Sequence, residues 1–143
     1  MKGNLLKLQD LDKNNEWCDK DRVMLYACFQ LLVDFIEKEK PQTIVDYKHE
    51  PTQRKEWQEM QALYHYWKKD RPKLQRKVDR LLAHWSRKHK TKWVPLKNGN
   101  YEYVVVKTDN KAWKLPHQAE DQFEKQEDEM LLRLINIRRR LWC

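Results

Sequence analysis

Glycine and serine are nearly absent from this chain. Two glycines and a single serine, Ser86, are spread over 143 residues, fewer than the many turns of an all-β fold call for. The stretches between the five prolines therefore have to be regular, and the spacing of their apolar residues predicts helices. The most apolar covers about Lys20 to Lys40, with Val23, Met24, Leu25, Tyr26, Phe29, Leu31, Leu32, Val33, Phe35 and Ile36. These positions take up most of a helix circumference, which predicts the central and most buried helix. Asp19 is placed as its N-cap, Trp17 precedes it as a hydrophobic staple, and Pro41 ends it.

Thr43-Ile44-Val45 reads as a short β-type stretch. A second helix is expected from Thr52 as N-cap, with Trp57, Met60, Leu63, Tyr64 and Trp67 along one face. It closes near Asp70-Arg71-Pro72, where a hairpin or sharp kink leads into a third helix. That helix turns Leu74, Val78, Leu81, Leu82 and Trp85 inward and Lys73, Arg76, Lys77, Arg80, Arg87 and Lys88 outward. Asn98-Gly99 then lies between two β-prone runs, which predicts a β-hairpin near residues 93–107. The last helix is expected from Pro116 to Leu141, with an acidic first half, a basic end and an i, i+4 pair of Glu129 with Arg133. The fold class is thus mostly α: about four helices and a small hairpin in one domain over 17–143. The polar residues 1–16 read as a mobile arm.

Aromatics stand in for scarce aliphatics, since seven Trp, six Tyr and three Phe each bury a large area. No run approaches the roughly 20 apolar residues of a membrane span, and the N-terminus has no apolar core of a signal peptide. Three cysteines, Cys18, Cys28 and Cys143, cannot all pair within one chain, which points to a reducing compartment. Cys28, inside the apolar run, is expected to pack as a small hydrophobe.

Charge is the feature that bears most on function. The chain carries a net +8, yet between Lys68 and Lys92 eleven Lys or Arg stand against only Asp70 and Asp79, a local +9. A field concentrated in this way captures anions. Basic residues and aromatics alternate at both ends of the segment, in Trp67-Lys68-Lys69-Asp70-Arg71 and in Trp85 through Arg87, Lys88, Lys90 and Lys92 to Trp93. Cationic side chains bind phosphates and aromatic faces stack on bases. Trp67 and Trp85 fall on the apolar stripes of their helices and are expected in the core, whereas Trp93 lies on no stripe and is free to stack. The candidate ligand-binding residues are Lys68, Lys69, Arg71, Arg87, Lys88, Lys90, Lys92 and Trp93, joined by Arg138 and Arg139 if the last helix packs beside the third.

Little else asks for chemistry. No glycine flanks the lone serine or a cysteine as in a nucleophile elbow. Neither glycine belongs to a phosphate-cradling loop, and no histidine pair has the spacing of a zinc helix. No catalytic residue, metal ligand or cofactor is therefore assigned. Glu56-x-x-Glu59 and Glu124-x-x-Glu127-Asp128 place carboxylates on helices in a way that could hold Mg²⁺. This is similar to the pattern of the all-α nucleoside triphosphate pyrophosphatases. It departs from that pattern because Glu59 and Glu124 are 65 positions apart, with the basic helix and the hairpin between them.

Three stretches resemble a family of small uncharacterised proteins encoded by tailed bacteriophages: Trp17-Cys18-Asp19-Lys20-Asp21 through Phe29 to Glu39, Leu63-Tyr64-His65-Tyr66-Trp67, and Glu129-Met130-Leu131-Leu132-Arg133-Leu134-Ile135-Asn136-Ile137-Arg138. The resemblance implies an all-α core and a place in the cytoplasm of an infected bacterium; it brings no activity and no site residues. The expectation is a non-enzymatic phage accessory protein that binds a phosphate-bearing ligand, such as a nucleotide signal of host anti-phage defence that it sequesters. The alternatives are a nucleic-acid-binding protein and a Mg²⁺-dependent pyrophosphatase using Glu56, Glu59, Glu124 and Glu127. A second copy of the chain is a further candidate partner.

Overall fold

The computed structural model describes residues 6–9, 11, 18–108 and 110–141. Its elements are α1 (Lys20–Asp34), α2 (Pro51–His65), α3 (Arg71–Lys88), β1 (Lys90–Pro95), β2 (Tyr101–Lys107) and α4 (Asn110–Ile137). The chain is mostly helical and its two strands form one antiparallel hairpin. Among the described residues, no helix is long and apolar enough to cross a membrane. Contacts gather into two compact units, Met1–Asp70 with Glu127–Cys143, and Arg71–Gln126, where one helical domain is expected. Trp17 and Cys143 lie outside the described residues, as does most of the expected N-terminal arm. Of that arm, Leu11 packs on the core of the first unit, and the Gln9 N–H reaches Gln30 Oε1 at 3.4 Å.

Several boundaries differ from the sequence reading, each for a local reason. Where a hairpin or sharp kink is expected around Pro72, there is no non-helical joint: a π turn, Tyr66–Asp70, follows α2 and α3 begins at Arg71. The four α-helical segments therefore lie along three continuous helical runs. A π turn changes the hydrogen-bond register locally, and Pro72 follows it without an N–H to donate. A second π turn, Phe35–Glu39, extends α1, and Lys40 then enters the left-handed region at φ 50° before Pro41. Asp19 does occupy the N-cap of α1, but its side chain makes no capping bond. Glu50, not Thr52, caps α2. Its carboxylate accepts the Gln53 N–H at 2.5 Å with Pro51 as first helical residue, and that bond holds Glu50 below the usual carboxylate range. Thr43-Ile44-Val45 is no strand, because Pro41–Thr43 form a 3-10 turn whose Pro41 carbonyl accepts from Ile44 and Val45. Helix α4 begins at Asn110, six residues earlier than expected, and absorbs Pro116 as an internal residue.

In the first unit the core is built from α1, α2, the Tyr66–Asp70 turn and the end of α4. Leu25, Tyr26, Phe29, Leu32, Val33 and Phe35 meet Met60, Leu63, Tyr66, Trp67 and Leu134. The centre is aromatic: Phe29 stacks on Trp67 at 4.4 Å with the planes 5° apart, and Tyr26 meets the same indole edge-on at 5.0 Å. The apolar run of α1 is less completely covered than its composition implies, for Met24 and Leu31 are exposed. Cys28 is free and packs partly buried against the cluster, and burial pushes its thiol up.

Arginines tie the end of α4 to α2. Both Nε and Nη2 of Arg133 donate to Glu59, at 2.6 and 2.7 Å, and Arg140 Nε lies 2.8 Å from Glu56. Arg133 thus makes its two carboxylate hydrogen bonds across 74 positions of sequence, with a further one from Nη1 to Met130 Sδ at 3.3 Å, while its expected neighbour Glu129 adds to its electrostatic field. The Arg133 hydrogen bonds hold the Glu59 carboxyl below its ordinary 4.5. A depressed acid stabilises the fold above its unfolded pKa and loses that contribution as pH falls through the folded one. Glu59→Gln should therefore cost about 1 kcal/mol at neutral pH, allowing for solvent screening of a partly exposed pair. Urea melts of the variant should also show a shallower loss of stability as pH falls below 4.5, the ordinary value of the carboxyl.

The second unit comprises α3, the hairpin and the first part of α4, with Val78, Phe123 and the stem of Arg71 buried. Strand β1 pairs with β2 in the register Thr91 with Val105, Trp93 with Tyr103 and Pro95 with Tyr101. The Asn-Gly signal marks the hairpin correctly, but the loop is longer than the two residues that this dipeptide usually implies. Gly99 N–H closes a turn on Leu96 C=O at 3.2 Å, and Leu96 N–H returns to Asn100 C=O at 2.7 Å. Gly99 itself sits at φ 83°, where L residues are strained. A register shift between Lys90 and Thr91 leaves Val106 as the extra residue on β2.

Candidate nucleic-acid interface

Alternation along the hairpin divides its side chains between two faces. Val94 and Val104 are half-buried on one of them. The other presents Trp93, Tyr101, Tyr103 and Val105, all exposed, with Trp93 at 65% and Tyr103 at 56%. Trp93 and Tyr103 are directly opposed, their ring centroids 4.9 Å apart and the planes tilted by 56°. The Tyr103 hydroxyl donates to Thr91 Oγ1 at 2.9 Å, which anchors that ring across the strands. Exposed aromatic side chains gathered on one face are the usual mark of a surface that meets something.

The base of the hairpin is held by a second aromatic group. His89 Nδ1 and Thr108 Oγ1, just outside the two strands, are 3.0 Å apart. The His89 ring stacks on Trp85 at 4.4 Å, Trp85 meets Trp113 at 4.3 Å, and Trp113 stacks on His117 at 4.7 Å. This ladder joins the last turns of α3 to the first turns of α4 at the point where the hairpin leaves them. Trp85 is therefore a packed residue, as its position on the helix stripe implies. Sequence spacing gives no sign of Trp113 and His117 as its partners, because they lie beyond the hairpin.

The ten expected ligand-binding residues fall into groups. Arg87 and Lys88, exposed at the end of α3, are followed at once by exposed Lys90, Lys92 and Trp93 on β1. The outward face of α3, with Lys73, Arg76, Lys77 and Arg80, is also exposed. By strand alternation Lys90 and Lys92 sit on the face opposite Trp93, exposed on β1, which is an edge of the two-stranded sheet. Arg71 is a correction: it is only 7% exposed, with its guanidinium over the Phe123 ring at 5.4 Å, so it is packed rather than offered to a ligand. Lys68, Lys69, Arg138 and Arg139 belong to the first unit. Lys68 Nζ lies 3.6 Å from Glu37, whose carboxylate also accepts from the Tyr64 hydroxyl at 2.6 Å. That bond pushes the Tyr64 phenol up to about 12. Trp67, buried in the core, is not a stacking residue.

The first carboxylate pair has arginine partners. Glu56 and Glu59 are held by Arg140 and Arg133, and among the described residues no group of three or more His, Cys, Asp or Glu is gathered for a metal ion. Neither a family model, nor a curated protein, nor a solved structure matches the chain.

Proposed function

We propose that the hairpin and the last turn of α3 bind single-stranded nucleic acid. The observation that carries this reading is the Trp93–Tyr103 pair, exposed on an open strand face beside a run of unburied cations. Bases stack on such a face whatever their identity, while Arg87, Lys88, Lys90 and Lys92 take the phosphates along the β1 edge. An open face suits a strand better than a closed pocket for one nucleotide would. Duplex is disfavoured as a partner for the aromatic face, because its bases are already stacked on one another. On this reading, and given the resemblance to the phage group, single strands exposed during infection are the ligands to try first.

Fluorescence anisotropy with a labelled 12-nucleotide strand and the matching duplex tests this. Single strand should bind more tightly than duplex, and its affinity should fall with a log–log salt slope of about −3 if four phosphates are contacted. Equal affinity for the two forms, or a slope near zero, would overturn it. Concentration-dependent self-association through the aromatic face, with no nucleic-acid binding, would assign that face to a second copy of the chain.

A further inference from the structure

The first unit holds an open cleft of about 660 Å³ between residues 42–49 and the first turns of α2, unrelated to the hairpin. That size is within the range of small-molecule sites. Its loop wall is tied down by the chain itself. Asp46 accepts the Lys48 N–H at 3.0 Å and pairs with the His49 ring, and the Arg54 guanidinium donates to the Lys48 carbonyl. Such bonds fix the wall before any ligand arrives, which lowers the ordering cost of binding.

Its lining combines three kinds of group. Tyr47 and Trp57, both in the lining, stack with centroids 4.7 Å apart and planes 7° apart, which gives the cleft an aromatic wall. Gln42, Gln58 and Gln61 also line the cleft. Each carboxamide offers both a donor and an acceptor, the pairing that reads the edge of a nucleobase. Lys48 and Arg54 supply two cations, while the one carboxylate in the lining, Asp46, is already taken by His49 and the Lys48 N–H. A planar ring with mixed donors and acceptors and an anionic tail satisfies all three.

We infer that this cleft binds a nucleotide, with the base on the Tyr47–Trp57 pair, its edge read by Gln58 and Gln61, and its phosphate toward Arg54 and Lys48. Strand binding by the hairpin does not require it, and it does not require strand binding.

The test is calorimetric titration of the full chain with the four ribonucleoside 5′-monophosphates, alongside ¹H–¹⁵N spectra of backbone and glutamine side-chain amides. At least one nucleotide should bind with a Kd below about 1 mM, and its unphosphorylated nucleoside at least about tenfold more weakly. Gln58→Ala combined with Gln61→Ala should weaken binding about tenfold or more. Both glutamines are exposed, so the fold should survive. Shifts should gather at residues 42–61 and include the Gln58 and Gln61 side-chain amides. The proposal is overturned if no monophosphate binds, if the double glutamine variant binds like the parent, if neutral sugars bind as well as nucleotides, or if the shifts gather on the hairpin.

Discussion

Trp67→Ala is expected to lower stability by about 3–5 kcal/mol, a large part of the total for a protein of ordinary stability. The indole is 4% exposed, lies flat on Phe29 and takes the edge of Tyr26. Its removal forfeits the transfer energy of the ring and leaves a cavity between three helical segments. Collapse into that cavity is resisted because Phe29, Leu32 and Leu63 are themselves fully buried around it. Chemical denaturation followed by far-UV circular dichroism should show an earlier midpoint at unchanged slope. A loss below about 1 kcal/mol, the level of a surface substitution, would mean that this stack does not form the centre of the unit.

The same substitution at Trp93 should have the opposite profile. With Tyr103→Ala alongside it, the melt should change little, since both rings are mostly exposed. The cross-strand pair itself accounts for about 0.2–1 kcal/mol, felt locally in the hairpin. Affinity for a single strand should fall by about 1–3 kcal/mol per base unstacked, or roughly 5- to 150-fold for one base. The salt slope should be unchanged, because no cation is removed. Replacing Arg87, Lys88, Lys90 and Lys92 should do the reverse, flattening the slope while the aromatic face remains. Anisotropy titrations at two salt concentrations separate the two effects. If the Trp93 and Tyr103 variant binds like the parent, the aromatic face has no part in recognition.

How far these assignments were legible depended on whether the deciding interaction was local. The buried run of α1, the hairpin at Asn98-Gly99 and the outward cations of α3 follow from period, turn chemistry and charge within a few residues, and all three are present. Trp93 stood out for the same reason, since no helical stripe claimed it. The failures involve partners distant in sequence or geometry that propensity does not encode. Pro72 predicts a hairpin or sharp kink and Pro116 a helix start, yet Pro72 lies in the first turn of α3 directly after a π turn and Pro116 lies inside α4. Arg71 counted as a surface cation until Phe123, 52 positions later, placed a ring beneath it. Glu59 and Arg133 give no sign of each other in sequence. The cleft beside α2 has no local signal either, because the Tyr47–Trp57 stack that lines it joins residues ten positions apart across a loop and a helix start.

The hairpin has one further consequence, for how the protein behaves at high concentration. A two-stranded sheet leaves two outer edges, each a row of backbone groups ready to recruit another strand. Here those edges flank an aromatic face, a combination prone to self-templating. Lys90, Lys92 and Lys107 on the strands, the bulge at Val106 and Pro95 at the end of β1 are the devices that discourage such pairing. The lysines therefore act as gatekeepers of solubility as well as a source of charge. Variants that neutralise them should precipitate at lower concentration than the parent, and light scattering should accompany any binding measurement made with them.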